Sequence, residues 1–170
     1  MEKIEMKNLI FINGTMGAGK SSVCAELLKM LPNAVYLDGD WCWNMHPFIV
    51  TDETKAMVVR NIAHLLQSFL NCSEFKNVIF CWVMHEQAII DSILAQLNLD
   101  SANYRLFTLL LSEDALQNRL QKDIAAGKRA PDILERSCAR LAMYQHSPGT
   151  RIDVSKIDAH TAAEQIAAQV

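Results

Sequence analysis

Several things are scarce in this 170-residue chain, and each scarcity excludes something. No apolar stretch approaches the ~20 residues that a membrane-spanning helix needs, so a membrane partner is not expected. Positive charge is not in excess: 16 Lys and Arg against 19 Asp and Glu give a net charge of −3. That balance argues against a general nucleic-acid binder, a local basic patch apart. The five cysteines (Cys24, Cys42, Cys72, Cys81, Cys138) include no C-x-x-C pair and no metal-ligand spacing. They read as reduced, mostly buried thiols, which fits a cytoplasmic setting. The opening "MEKIEMKN" has charges and lacks the apolar centre of a signal peptide. Internal repeats, low-complexity tracts and linkers are missing too, so residues 1–170 are expected to form one domain. Glycine is rare, six in all, yet three of the six fall at Gly14, Gly17 and Gly19.

What is present is an alternation. Short apolar or β-branched runs at 9–12, 34–37, 78–83, 104–110 and 151–154 read as strands. Between them lie helical patterns. The first runs from about Gly19 to Met30 and stops at Pro32. The second is capped by Thr51, with Asp52 and Glu53 in its first turn. A third covers about 86–97, a fourth follows Ser112, and a fifth opens at Pro131. The last opens on "TAAE", Thr161 to Glu164, as a capping box. Strand-like runs such as "VIFCWV" are apolar throughout, as a sheet covered on both faces requires. The expectation is a three-layer α/β fold with a five-stranded parallel sheet.

The glycine cluster closes the first strand. Gly14-Thr-Met-Gly-Ala-Gly19-Lys20-Ser21 fits G-x-x-x-x-G-K-[ST], the phosphate-binding P-loop. Glycines let the backbone turn its N–H groups inward, and the following helix adds unpaired N–H donors and the positive end of its dipole. Lys20 brings a full charge to the phosphate oxygens, and the Ser21 hydroxyl can ligate Mg²⁺. Gly14, Met16, Gly17, Ala18, Gly19, Lys20, Ser21 and Ser22 are therefore the expected nucleotide-binding residues, with ATP and Mg²⁺ as cofactors. The competing reading, a plain glycine turn, does not explain Lys20 and Ser21 together.

Here the chain resembles the small P-loop kinases, among them shikimate, gluconate and adenylylsulfate kinases and chloramphenicol phosphotransferase. The similarity in element order spans nearly the whole chain, while motif-level likeness is confined to residues 11–22, 34–41 and about 112–145. It implies a P-loop NTPase fold, with the nucleotide at the carboxyl edge of the sheet and a helical lid over about 119–140.

"AVYLDGDW" places Asp38 and Asp40 after the second strand, where i and i+2 in extended chain face the same way. Phosphoryl transfer to an alcohol calls for one carboxylate to orient the hydroxyl and another to serve the metal. Asp40 is the candidate for the first role and Asp38 for the second; a simple Asp-Gly turn is the competing reading. Adenylylsulfate kinases carry the same "LDGD", but the Asn-x-Arg that follows it in them is missing. The third strand likewise has no Asp at its end, and it lacks the glycine run of shikimate kinases.

From Arg119 to Arg140 six basic residues face three acidic ones, the chain's most basic segment. Closure of such a lid would exclude water and complete the site. Arg119 matches the family's nucleotide-contacting arginine, and Arg129 or Arg136 is the candidate to reach the γ-phosphate. Ser155 falls where relatives contact adenine through the backbone. On the acceptor side the candidates are Asp40, Trp41, Arg60, His85, Glu86 and Arg136, with Trp43, His46 and Phe48 as further aromatic-pocket residues. For Arg60, a surface arginine lying along apolar neighbours is the competing reading.

The activity these residues imply is transfer of the ATP γ-phosphoryl group to a hydroxyl of a small-molecule acceptor, by a monomer or homodimer. An ATP-binding or hydrolysing switch or resistance protein is the alternative; a nucleic-acid-end kinase is disfavoured by charge and length.

Overall fold

Alternate residues of the central strand are buried on opposite faces, and this sets the architecture. The computed structural model describes residues 6–170. In it β1 (Lys7–Asn13) pairs in parallel with β3 (Asn77–Cys81) on one side and β4 (Ala102–Leu110) on the other. The remaining strands, β2 (Ala34–Asp38) and β5 (Thr150–Asp153), complete a parallel sheet in the order β2-β3-β1-β4-β5. Ile10 and Ile12 point into one core with Ile79, Phe107 and Leu109. That core is closed by α1 (Lys20–Met30), α4 (Glu113–Ala125), α5 (Ile133–Tyr144) and α6 (Ala159–Ala167). Leu9 and Phe11 point the other way, with Val78 and Phe80, against α2 (Asp52–Asn71) and α3 (Gln87–Leu94). The Phe11 ring lies 4.8 Å from Phe80 and 5.2 Å from Tyr104 in edge-on contacts. The three-layer α/β expectation holds, with β1 in the middle of the sheet.

Because β1 is flanked by β3 and β4, the crossover after β1 steps across the sheet one way and the crossover after β3 the other, beside the carboxyl end of β1. Open α/β sheets bind ligands at such a switch point. The expected Thr51 cap is present: its hydroxyl accepts from the Thr54 N–H at 3.2 Å, and Thr54 returns a bond to the Thr51 N–H. Ser112 caps α4 as expected. Among the described residues no helix is long and apolar enough to cross a membrane. The five cysteines are free thiols.

Several element boundaries differ from the sequence reading, among them the end of α3 at Leu94 and the start of β4 at Ala102, and three have a visible local cause. The last helix opens at Ala159, and its cap is Asp158, whose carboxylate accepts from the Thr161 N–H at 2.8 Å. A carboxylate also complements the helix dipole, so it takes the cap and Thr161 becomes an interior first-turn residue. Helix α5 opens at Ile133 because 130–134 is closed by tight i→i+3 bonds from Ile133 to Ala130 and Leu134 to Pro131. Strand β3 ends at Cys81, before Val83. Beyond it Asn13 replaces the ladder: its side-chain oxygen accepts from the Met84 N–H and its amide donates to the Met84 carbonyl, both at 2.9 Å.

Candidate active site

The loop after β1 is held from below by the buried Asn13 side chain, which also accepts from the Gly14 N–H at 2.9 Å. The Gly14 N–H is thereby committed to Asn13 rather than to the cavity. Gly17 (φ +86°) and Gly19 (φ +92°) adopt left-handed backbone that favours glycine. Gly17 has a packing reason as well, since a Cβ there would lie 2.7 Å from Leu120 of α4. Lys20 folds across the loop and donates to the carbonyls of Gly14 (2.8 Å) and Thr15 (3.0 Å). Burial pushes its ammonium below the ordinary lysine value, opposed by the charges of Asp40 and Asp38.

Ser21 and Asp38 meet at the floor of this loop. The Ser21 hydroxyl donates to Asp38 Oδ2 at 2.9 Å, and the Tyr36 hydroxyl donates to the same oxygen at 3.0 Å. Burial, and next the neighbouring Cys81, raises the Tyr36 phenol well above its usual value, so it remains a donor. Asp38 Oδ1 accepts from the Asp40 N–H at 3.0 Å. The chain is not extended here: Asp38 caps a short 3₁₀ helix, Gly39–Trp43. Asp40 therefore reaches the cavity by a turn, and Trp82 fixes it through an indole N–H donated to Asp40 Oδ1 at 3.1 Å. Gly39 is small because the Trp82 ring occupies the space of its missing Cβ, at 2.5 Å. Burial, and next the charge of Asp38, raises the Asp40 carboxyl above the ordinary value, opposed by Lys20, Trp82 and Arg129.

Three cavities meet around these groups. A phosphate-sized pocket of about 180 Å³ is lined by Met16, Gly17, Gly19, Lys20, Ser21, Ser22, Asp38, Asp40 and Arg129 among others. Arg129 enters it paired to Asp123 at 3.1 Å. A second cleft, about 350 Å³, runs from the loop toward β5 past Ala18, Ser22, Arg119, Val154 and Ile157. Arg119 clamps its two sides, donating to the Ala18 carbonyl at 3.0 Å and to that of Val154. A third, about 620 Å³, opens on the other side of Asp40, between α2, α3 and the β3–α3 loop. Asp40, Met16, Trp82 and Val83 belong to both the phosphate pocket and this third cavity.

The structure brings some expected acceptor residues to that third cavity and leaves others away from it. Asp40, Trp43, Phe48 and His85 line it. Burial, and next Arg140, lowers the His85 imidazole below its ordinary value and so favours its neutral form, opposed by Glu86. Trp41 turns outward, 59% exposed, with its ring on Tyr36. Arg60 is exposed on α2, one residue beyond the cavity face that carries Lys55 and Val59 at helical i,i+4 spacing. Glu86 is the exposed residue preceding α3. Arg136 pairs with Asp132 at 3.2 Å and borders a small side niche rather than the cavity itself. Ser155 accepts from the Ser112 N–H at 2.8 Å and bonds Asp153, so it ties β5 to α4 while Val154 lines the cleft. Asn13, Trp82, Lys55 and Arg140 were missed by sequence reading. The partners of Asn13 and Trp82 are distant in the chain, and Lys55 and Arg140 reach the site only through the packing of α2 and α5, which no local pattern marks.

A family model described as an AAA domain matches residues 10–139, from β1 into α5. The chain belongs to this AAA-domain family. No curated protein matches the sequence significantly. Solved structures give the same fold at low identity. The tunicamycin resistance protein of Deinococcus radiodurans has a TM-score of 0.65 at 19% identity, over 96% of this chain and 95% of that one. The shikimate kinase of Acinetobacter baumannii, solved with shikimate, gives 0.62 at 17%, over 96% and 92%. The adenylylsulfate (APS) kinase CysC of Mycobacterium tuberculosis, solved with AMPPNP and APS, gives 0.66 at 14%, over 96% and 97%. The AAA-domain chain thus has the fold of the small P-loop kinases, as the residues at 14–22 and 34–41 led one to expect.

Proposed function

We propose that this chain is an ATP-dependent kinase that transfers the γ-phosphoryl group to a hydroxyl of a small molecule. One observation carries the reading: Asp40 stands at the junction of a P-loop phosphate pocket and a separate, acceptor-sized cavity. The nucleoside end of ATP would occupy the cleft past Arg119, and its phosphates the pocket over Lys20. Lys20 and Arg129 neutralise charge on the transferring group, and the loop N–H groups orient it. Asp40 orients the acceptor hydroxyl and takes its proton. Its raised pKa brings it nearer the working pH, where a general base is most effective.

The donor set also fits Mg²⁺. The Ser21 hydroxyl and Asp38 carboxylate are adjacent hard oxygens beside the phosphate pocket. Among the described residues no group of three or more His, Cys, Asp or Glu forms a metal cage, so the phosphates would complete the shell. Bound there, Mg²⁺ would supply charge stabilisation to the phosphate oxygens.

The test is ADP release by the purified chain with Mg·ATP and a panel of hydroxyl-bearing acceptors, beside thermal stability with and without Mg·ATP. The expected result is slow ATP hydrolysis that one acceptor class accelerates, with a phosphorylated product. Lys20→Ala should abolish the stabilisation by Mg·ATP. Hydrolysis that no acceptor accelerates would favour a nucleotide switch; no stabilisation at all would overturn nucleotide binding.

A further inference from the structure

Two cavities adjoin on the acceptor side of Asp40, and their linings differ in kind. The larger one, about 620 Å³, is walled by Trp43, Phe48, Val50, Val59, Val83 and Ile89. The Trp43 and Phe48 rings lie 5.7 Å apart and tilted by 51°, which makes an aromatic corner. Apart from Asp40, the charged groups on this wall are the cations Lys55 and Arg140. The smaller niche, about 50 Å³, is reached past Met16, Val83 and Arg140, which line both. Its remaining lining is Thr15, Arg136 and Ser137.

The niche holds unused donors. Ser137 is 2% exposed, and its hydroxyl is buried without a hydrogen-bond partner. Arg140 makes no ion pair or hydrogen bond among the described residues, whereas Arg136 is held by Asp132. A buried unpaired hydroxyl is costly, and an unpaired guanidinium offers a fork matched to a carboxylate. The volume admits one small anionic group.

On the kinase reading above, we infer that the acceptor is a flat, apolar alcohol carrying one carboxylate. Its hydroxyl lies at Asp40, its apolar body against Trp43 and Phe48, and its carboxylate at Arg140 and Ser137. A polyhydroxylated sugar fits this cavity poorly. Each hydroxyl set against Val50, Val59 or Ile89 would lose water without gaining a partner, at roughly five- to hundredfold in affinity. In turnover the acceptor oxygen bonds to the γ-phosphorus, the bond from that phosphorus to the β–γ bridging oxygen breaks, and ADP leaves. The hydroxyl proton passes to Asp40.

The test uses the full chain without nucleotide. Quenching of tryptophan fluorescence, with Trp43 and Trp82 in the cavity, would be titrated with 4-(hydroxymethyl)benzoate, benzyl alcohol and gluconate. The expected order puts 4-(hydroxymethyl)benzoate ahead of both others by roughly tenfold or more, a charge-assisted pair's worth. Arg140→Gln, an exposed site, should erase its advantage over benzyl alcohol while benzyl alcohol binds as before; Arg140→Lys should restore part of it. Tightest binding by gluconate, a carboxylate preference that survives Arg140→Gln, or no saturable quenching by any probe would overturn the inference. Adding Mg·ATP separates the two readings. 4-(Hydroxymethyl)benzoate binding without ADP release with any of the three probes defeats the kinase reading and leaves the cavity's ligand class standing. ADP release driven best by gluconate does the reverse.

Discussion

Trp82→Phe removes one proton donor and little else. The ring stays above Gly39, where a Cβ would come within 2.5 Å of it, so the 38–43 turn keeps its support. What goes is the indole N–H that Asp40 Oδ1 accepts at 3.1 Å. A hydrogen bond to a charged group contributes about 1.5–3 kcal/mol when buried. Asp40 keeps substantial contact with solvent, and screening there reduces the effect to about 1 kcal/mol. Transfer should therefore slow by roughly fivefold on the pH plateau. The sign of the pH effect follows from the same bond. Burial already raises the Asp40 pKa, and the Trp82 bond opposes that rise. Without the bond the carboxyl rises further, so the acid limb of the rate profile moves to higher pH and activity is lost sooner on acidification.

The assay is coupled ADP release at saturating acceptor across the acid limb, with Mg·ATP-induced thermal stabilisation as control. A shift in the limb separates this role from simple cavity packing, because packing changes the acceptor KM without moving a titration. If Trp82→Phe leaves the limb where it was, Trp82 does not tune Asp40. If Mg·ATP stabilisation falls in parallel with transfer, the defect lies in the phosphate pocket and the reasoning fails.

Two further changes probe neighbouring links. Asp40→Asn should lower transfer by about two to four orders of magnitude, the usual scale of a lost general base, while Mg·ATP affinity stays near wild type; equal loss of both would move Asp40 out of that role. Gly17→Ala puts a methyl group at φ +86° against the fully buried Leu120. Strain and overpacking together should cost about 2 kcal/mol, lowering Tm by about 4–8 °C; an unchanged Tm in a calorimetric scan would show that α4 does not press on the loop as described.

How much of this was legible in the sequence depends on the range of each signal. The phosphate loop was legible because a short backbone task imposes its residues locally: glycines, then Lys20 and Ser21 at the start of a helix. The sheet was legible because burial on both faces leaves unbroken apolar runs such as "LIFI" and "VIFC". The Asp38–Asp40 pair was identified from an extended-chain argument, yet the backbone turns into a 3₁₀ helix at Gly39. The same turn places Trp43 in the cavity and leaves Trp41 outside, a sorting that alternation in a strand cannot make. Arg60 illustrates the helical version. Its neighbour Val59 faces the cavity with Lys55 one turn earlier, and a single residue step of about 100° carries Arg60 to solvent.

Asn13 and Trp82 show the deeper reason for the remainder. Both act where one strand end must be fastened to another: Asn13 joins β1 to the segment after β3, and Trp82 joins that segment to the turn after β2. Each replaces ladder bonds that stop when the strands diverge. Such a fastening is needed wherever parallel strands open to admit a ligand, because backbone groups freed there must be paired or hydrated. Its place is set by sheet order, β2-β3-β1, rather than by sequence neighbours. Once the order is known, the polar or indole side chain at each diverging strand end becomes the residue to suspect. In this chain that rule points to the two side chains bracketing Lys20, Asp38 and Asp40, so the same divergence that opens the site also fixes its geometry.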